Sequence, residues 1–164
     1  IHNLIEAVRI VAQTKSDIKL LIIGRGPELE NLKLQTTNYK LQTNVFFSGW
    51  LSTPSDVAQA YNSARIFINP SFNEGGPRVA LEAMACGLPI ITTKVGAMLD
   101  IIKDGENGLF TDWNPSDMAE KIRFLLNNLE LQKKFSQAGL ELVKQFEKKS
   151  AIKNYAEKLI SLIL

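Results

Sequence analysis

Residues Ile66 to Thr93 read IFINPSFNEGGPRVALEAMACGLPIITT, and this stretch decides the fold. A short β-branched run, Ile66 to Pro70, gives way to a loop with two glycines. Pro77 then opens a helical pattern that runs to Cys86, and after Gly87 the run Pro89 to Thr93 is again strand-like. Strand, helix and strand in that order make one α/β step. The alternation continues towards the N-terminus, with a helix from Thr53 to Ser63, a strand at Val45 to Gly49 and a helix from about Pro27. Further back lie the strand-like run Ile18 to Gly24 and an amphipathic helix from about Leu4 to Thr14, whose Leu4, Ile5, Val8, Val11 and Ala12 recur at helical spacing. Towards the C-terminus a short helix near Met98 to Ile102 and a strand near Leu109 to Thr111 precede three helices, beginning about Pro115, Leu129 and Lys148. The pattern predicts an α/β fold: a doubly wound, Rossmann-like parallel sheet with helices on both faces and a helical C-terminal segment.

The 164 residues, 45% hydrophobic and 22% charged, suit one globular domain with a sizeable core. A net charge of +2 is too balanced for a nucleic-acid binder, so an anion bound here is bound locally. The single cysteine, Cys86, has no partner for an internal disulfide, and no Cys/His cluster has zinc-ligand spacing, which fits a reducing compartment such as the cytoplasm. No apolar run approaches the roughly 20 residues that span a bilayer. The chain begins directly in a helical pattern, so its start is expected to be a cut edge. No internal repeat or linker divides it.

Doubly wound sheets bind ligands at the carboxyl ends of their strands. The residues to read for chemistry are therefore Gly24 to Gly26, Gly49 to Leu51, Pro70 to Pro77 and Thr93 to Ala97. In SFNEGG an acid is followed by two glycines and by proline at the first helical position, a design suited to anions. Glycine lets a ligand approach the backbone, proline loses no useful N–H there, and the free N–H groups of a first helical turn favour phosphate. Glu74 precedes the helix and Glu82 lies about a turn and a half beyond Pro77. Two carboxylates so separated can accept hydrogen bonds from two sets of hydroxyls, a sugar on one side and a ribose on the other.

The segment NEGGPRVALEAMACGLPII resembles the E-x7-E region of glycosyltransferase family 4, retaining enzymes of the GT-B fold. The resemblance continues in LLIIGRGPELENLK, VFFSGW and DGENGLF, and so covers nearly the whole chain. It implies that Glu74 contacts the donor hexose, as the catalytic candidate, and that Glu82 contacts the ribose. The backbone of Gly75 and Gly76 would lie near the sugar and diphosphate, Arg78 and Val79 beside the phosphate or nucleoside, and Trp50, Leu51, Gly24 and Gly26 near the base. Family members carry a central strand ending in Gly-Arg, and then a lysine, ahead of the helix that opens this chain; neither is in the sequence, which implies a gap in the sheet. Residues 1–164 would then be the nucleotide-sugar-binding domain, cut at its N-terminal edge, with the acceptor domain outside this sequence. The full enzyme would transfer a hexose from a UDP-, GDP- or ADP-sugar with retention, using no cofactor and no metal, in polysaccharide, lipopolysaccharide or glycolipid synthesis.

Simpler readings stand beside these. Glu82 and Arg78 have the spacing of a surface ion pair worth about 0.3 kcal/mol. The Gly24-Arg25-Gly26 turn is weak evidence alone, and Trp50 suits core packing as well as base stacking. Cys86 reads as a small buried filler, His2 as a surface residue and Asp104 to Gly108 as a plain turn. A basic amphipathic helix from Lys148, with Ile152, Tyr155, Leu159 and Ile163 on one face, suits docking on the protein or peripheral contact with the inner face of a membrane. The competing functions are a non-catalytic nucleotide-binding module of the same fold, a sugar-nucleotide epimerase, and a signalling receiver. The strand ending at Pro70 offers the last of these no phosphoacceptor aspartate.

Overall fold

The opening amphipathic pattern forms α1 (His2–Ala12), which buries Leu4, Ile5, Ala7, Val8 and Val11, the stripe that its spacing implies. In the computed structural model, which describes residues 1–73 and 78–146, the chain then alternates. The order is β1 (Leu20–Ile23), α2 (Leu29–Asn38), β2 (Val45–Gly49), α3 (Pro54–Asn62), β3 (Phe67–Asn69), α4 (Arg78–Ala85), β4 (Ile90–Thr93), α5 (Met98–Ile101), β5 (Leu109–Thr111), α6 (Pro115–Leu126) and α7 (Leu129–Val143). A 3₁₀ turn, Lys144–Phe146, follows α7. The helix expected from about Lys148 lies outside the described residues.

Among the described residues every strand pair is parallel, but the hydrogen bonding makes two sheets, β1-β2 and β3-β4-β5. The two sheets still share a core, because Leu20 and Ile22 of the first and Ile68, Ile91 and Leu109 of the second belong to one apolar cluster with side chains of α1 and α6. Neighbouring residues on β4 face opposite ways. Ile91 joins that shared core, while Ile90 joins Met84 of α4 and Met98 and Ile101 of α5 in a second one. All four residues of β4 are buried, as a parallel strand covered on both faces requires. Helices thus cover both faces of the three-stranded sheet.

Local chemistry sets the helix ends. α3 and α6 begin alike, as Thr53-Pro54-Ser55-Asp56 and Asn114-Pro115-Ser116-Asp117. The Thr53 and Asn114 side chains accept from the N–H of Asp56 and Asp117 at 3.1 and 2.9 Å, with proline at the first helical position. α4 ends at Gly87, whose φ of 74° suits glycine. There the Gly87 N–H donates to Met84 O and the Leu88 N–H to Ala83 O, at 2.9 and 3.0 Å, the paired bonds of a Schellman ending. Leu88 then packs beside Ala83 and Tyr61. Gly108 is required by space, since a Cβ there would lie 2.7 Å from Ile90 Cγ2. Among the described residues no helix is long and apolar enough to cross a membrane.

Candidate functional site

Parallel strands deliver their carboxyl ends to one edge, where the crevice of a doubly wound sheet forms. At the end of the first sheet the Gly24 N–H donates to Gly49 O at 2.8 Å, which brings the Gly24 to Gly26 loop beside Trp50 and Leu51. Trp50 is 66% exposed, so core packing is excluded and the indole faces solvent at the crevice edge.

The second group sits on α4. Arg78 Nε donates to Glu82 Oε1 at 2.9 Å, so the surface ion pair expected from the spacing does form. The Arg78 side chain is 91% exposed, and a pair so open to water contributes only a few tenths of a kcal/mol, about 0.3. Glu82 has a second partner that the sequence did not reveal. Tyr61, buried on α3, places its hydroxyl 3.4 Å from Glu82 Oε2 and 3.3 Å from Val79 O. Burial, and then the neighbouring Glu82 charge and hydrogen bond, push the Tyr61 phenol up to about 12. It is therefore a proton donor throughout the neutral range. No local pattern joins residues 61 and 82; only the packing of α3 on α4 through Tyr61, Ala83 and Leu88 does. Val79, in the first turn of α4, is exposed.

Between these groups and β5 lies the loop after β3. Ser71 Oγ donates to Asn69 Oδ1 at 2.7 Å, and Thr93 Oγ1 donates to Ser71 O, so the strand ends of β3 and β4 are stitched together. Among the described residues the buried Asn69 Nδ2 has no hydrogen-bond partner. The Trp113 indole N–H donates to Pro70 O at 3.2 Å, the Trp113 carbonyl accepts from Asn3 Nδ2 at 3.0 Å, and the Phe72 and Trp113 ring centroids are 4.9 Å apart. The ends of β3 and β5 are thereby tied to the start of α1, a junction that sequence reasoning missed because its members are far apart in the chain.

Of the sequence-derived site residues, Gly24 comes together with the Trp50 loop, and Arg78 with Glu82. Among the described residues no hydrogen bond or ion pair joins those two groups. Glu74, Gly75 and Gly76 lie outside the described residues, as does Pro77. Cys86 is half-buried against the Tyr61 cluster, so it fills space there without being sealed from solvent. His2 is a surface residue that bridges α1 and α2, with Nδ1 2.7 Å from Gln35 Oε1 and Nε2 3.4 Å from Glu28 Oε2. The Asp104 to Gly108 turn is held by its own side chains, Asp104 accepting from the Phe110 N–H and Asn107 from the Lys103 N–H.

Comparison with known proteins places this geometry. Residues 1–142 match the family model described as glycosyl transferases group 1. The chain is 34% identical over 146 residues to an uncharacterised glycosyltransferase of Methanocaldococcus jannaschii, covering 87% of this chain and 39% of that protein. It is 31% identical over 144 residues to the capsular polysaccharide biosynthesis glycosyltransferase CapM of Staphylococcus aureus, covering 87% and 37%. Among solved structures it is similar to the C-terminal domain of the group 1 family protein LpcC from Francisella tularensis. That match has a TM-score of 0.79 and 28% identity, over 88% of this chain and 77% of that one. It also shares its fold with Anabaena HepE, solved with UDP-glucose, at a TM-score of 0.83 and 23% identity over 98% and 44%. The chain spans less than half the length of these two curated relatives.

Proposed function

The chain belongs to the group 1 glycosyl transferase family and has the fold of a C-terminal GT-B domain; from that premise we propose that residues 1–164 are the donor-binding domain of a retaining, family 4 hexosyltransferase. The observation that carries the proposal is Glu82, a carboxylate on α4 with each oxygen held by a different side chain and free surface left for a ligand. Such a group suits the paired hydroxyls of a ribose. In this reading Glu74 contacts the hexose of a UDP-, GDP- or ADP-sugar, and the backbone of Gly75 and Gly76 borders the sugar and diphosphate. Arg78 and Val79 line the phosphates, while Gly24, Gly26, Trp50 and Leu51 surround the base.

The start of α4 supplies N–H groups and a helix dipole to the leaving diphosphate, a role that other enzymes give to a cation, so no metal or cofactor is invoked. The acceptor is bound by an N-terminal domain of the same protein. The product is a polysaccharide, lipopolysaccharide or glycolipid, and the CapM relative supports that class. The work is done in the cytoplasm, with peripheral contact at the inner face of the membrane.

Calorimetric titration of the intact protein with UDP, GDP and ADP tests the proposal. One nucleotide is expected to bind, and Glu82→Ala to weaken it by about tenfold or more, the loss that goes with hydrogen bonds to a charged group. A folded, intact protein that binds none of the three would instead be a non-catalytic module. For Glu74, unchanged turnover in Glu74→Gln would remove its assigned role.

A further inference from the structure

We infer that Tyr61 is a positioning residue, whose hydroxyl donates to Glu82 Oε2 and, opposite Arg78 on Oε1, sets the carboxylate to accept from both hydroxyls of a nucleoside diphosphate's ribose. The inference rests on the reading of Glu82 given above and adds a residue to it.

Tyr61 is the one α3 side chain that is buried. Its ring stands edge-on to Phe67, with centroids 5.8 Å apart and planes at 70°, and packs in the cluster with Ala83 and Leu88. A ring so enclosed has one orientation, which its packing would keep if the residue were phenylalanine. The hydroxyl needs its own account, because burying it without a partner is costly. It has one proton and two acceptors in reach, Val79 O at 3.3 Å and Glu82 Oε2 at 3.4 Å. A main-chain carbonyl inside a helix already serves the helical ladder, and an ionised carboxylate is the stronger acceptor, so the proton goes to Glu82.

The arrangement leaves a specific vacancy. A carboxylate offers about four lone-pair sites, two on each oxygen. Among the described residues Arg78 takes one on Oε1 and Tyr61 one on Oε2, which leaves one on each oxygen. Two adjacent hydroxyl donors on one ring match that remainder. The two holders differ in rigidity. Arg78 reaches Glu82 from solvent, where the contact is screened and competes with side-chain entropy, while Tyr61 reaches it from a packed wall. Orientation of the carboxylate therefore depends more on Tyr61.

The test is calorimetry on the intact protein with UDP, GDP and ADP and with their 2′-deoxy forms, in wild type, Tyr61→Phe and Arg78→Met. Wild type is expected to prefer the ribose form of its nucleotide by about tenfold or more, the value of a hydrogen bond to a charged group. In Tyr61→Phe the ribose form weakens and the deoxy form barely changes, so the preference falls to about two- to threefold, whereas Arg78→Met retains most of it. A hydroxyl that serves packing alone would weaken both forms equally. A preserved preference in Tyr61→Phe therefore overturns the inference and leaves the Glu82 reading standing. Wild type that binds none of the nucleotides, or shows no preference for ribose, overturns both. Circular dichroism verifies the fold of each variant, and Tyr61→Met, which lacks the hydroxyl but keeps apolar volume, reads the same ratio if Tyr61→Phe does not fold.

Discussion

β1 and β4 are both four-residue parallel strands, and β1 is the more apolar, Leu-Leu-Ile-Ile against Ile-Ile-Thr-Thr, yet β4 is the one that is sealed. Every side chain of β4 is buried, while Leu21 and Ile23 of β1 are 44% and 41% exposed, as is much of Phe46 on β2. The helices make the difference. α1 and α6 lie across one face of both sheets, but α4 and α5 reach the other face only at β3 to β5. Burial in this fold thus follows the path of the crossovers, and the apolar content of a strand is a poor guide to it. The two threonines of β4 are buried at its carboxyl end, and one of them, Thr93, bonds the loop that leads to the site.

The comparison breaks first at Ile91. Ile91→Ala is expected to cost about 3 kcal/mol, as a cavity opens between the sheet and α1, measured by urea denaturation followed by circular dichroism. Gly108→Ala should cost about 2 kcal/mol, because its Cβ meets Ile90 on β4. Ile90→Ala removes the nearest clashing atom, so the double variant should be more stable than the sum of the two single losses, and simple addition would show that the contact is not limiting. Asn114→Ala, which uncaps the helix lying across both sheets, should cost about 1 kcal/mol.

The next effect depends on pH. Burial raises the pKa of the Asp117 carboxyl, but the Thr111 hydroxyl, the Asp112 N–H and Lys121 together outweigh burial and hold it below the usual aspartate value. A carboxyl whose folded pKa is depressed stabilises the fold above its unfolded pKa, and that contribution is lost as pH falls through the folded value. Asp117→Asn should therefore melt below wild type near neutral pH, with the gap closing below about pH 4. A gap that persists at acid pH would assign the loss to packing. The smallest effect is expected on the open face, where Ile23→Ala should cost under about 1 kcal/mol. A loss matching that of Ile91→Ala would mean that both strands are covered alike.

Much of this was legible in the sequence where the signal is local. Val45 to Gly49 and Leu109 to Thr111 are strands over the expected residues, and Thr53 and Ser63, the expected ends of a helix, are the caps of α3. α1 runs two residues ahead of its expected span, because apolar spacing marks the buried face of a helix and not its caps. The Arg78 and Glu82 pair was legible from spacing on one helix. The Tyr61 contact with Glu82 and the Phe72, Trp113 and Asn3 junction were not, since each is made when separate crossovers pack, and neither leaves a periodic trace. Trp50 had two equal readings because a tryptophan just after a strand is compatible with either side of the surface; its exposure removes the core reading.

Both tryptophans of the chain, Trp50 and Trp113, sit just past strand ends and are more than half exposed, one after β2 and the other after β5. Indole fluorescence therefore originates entirely at the rim of the crevice and not at all in the core. Unfolding breaks the Trp113 contacts with Pro70 and Phe72 while Trp50 is already largely in water, so emission gauges the strand-end junction and not the core. The same placement makes it a label-free optical reporter of whatever enters the crevice.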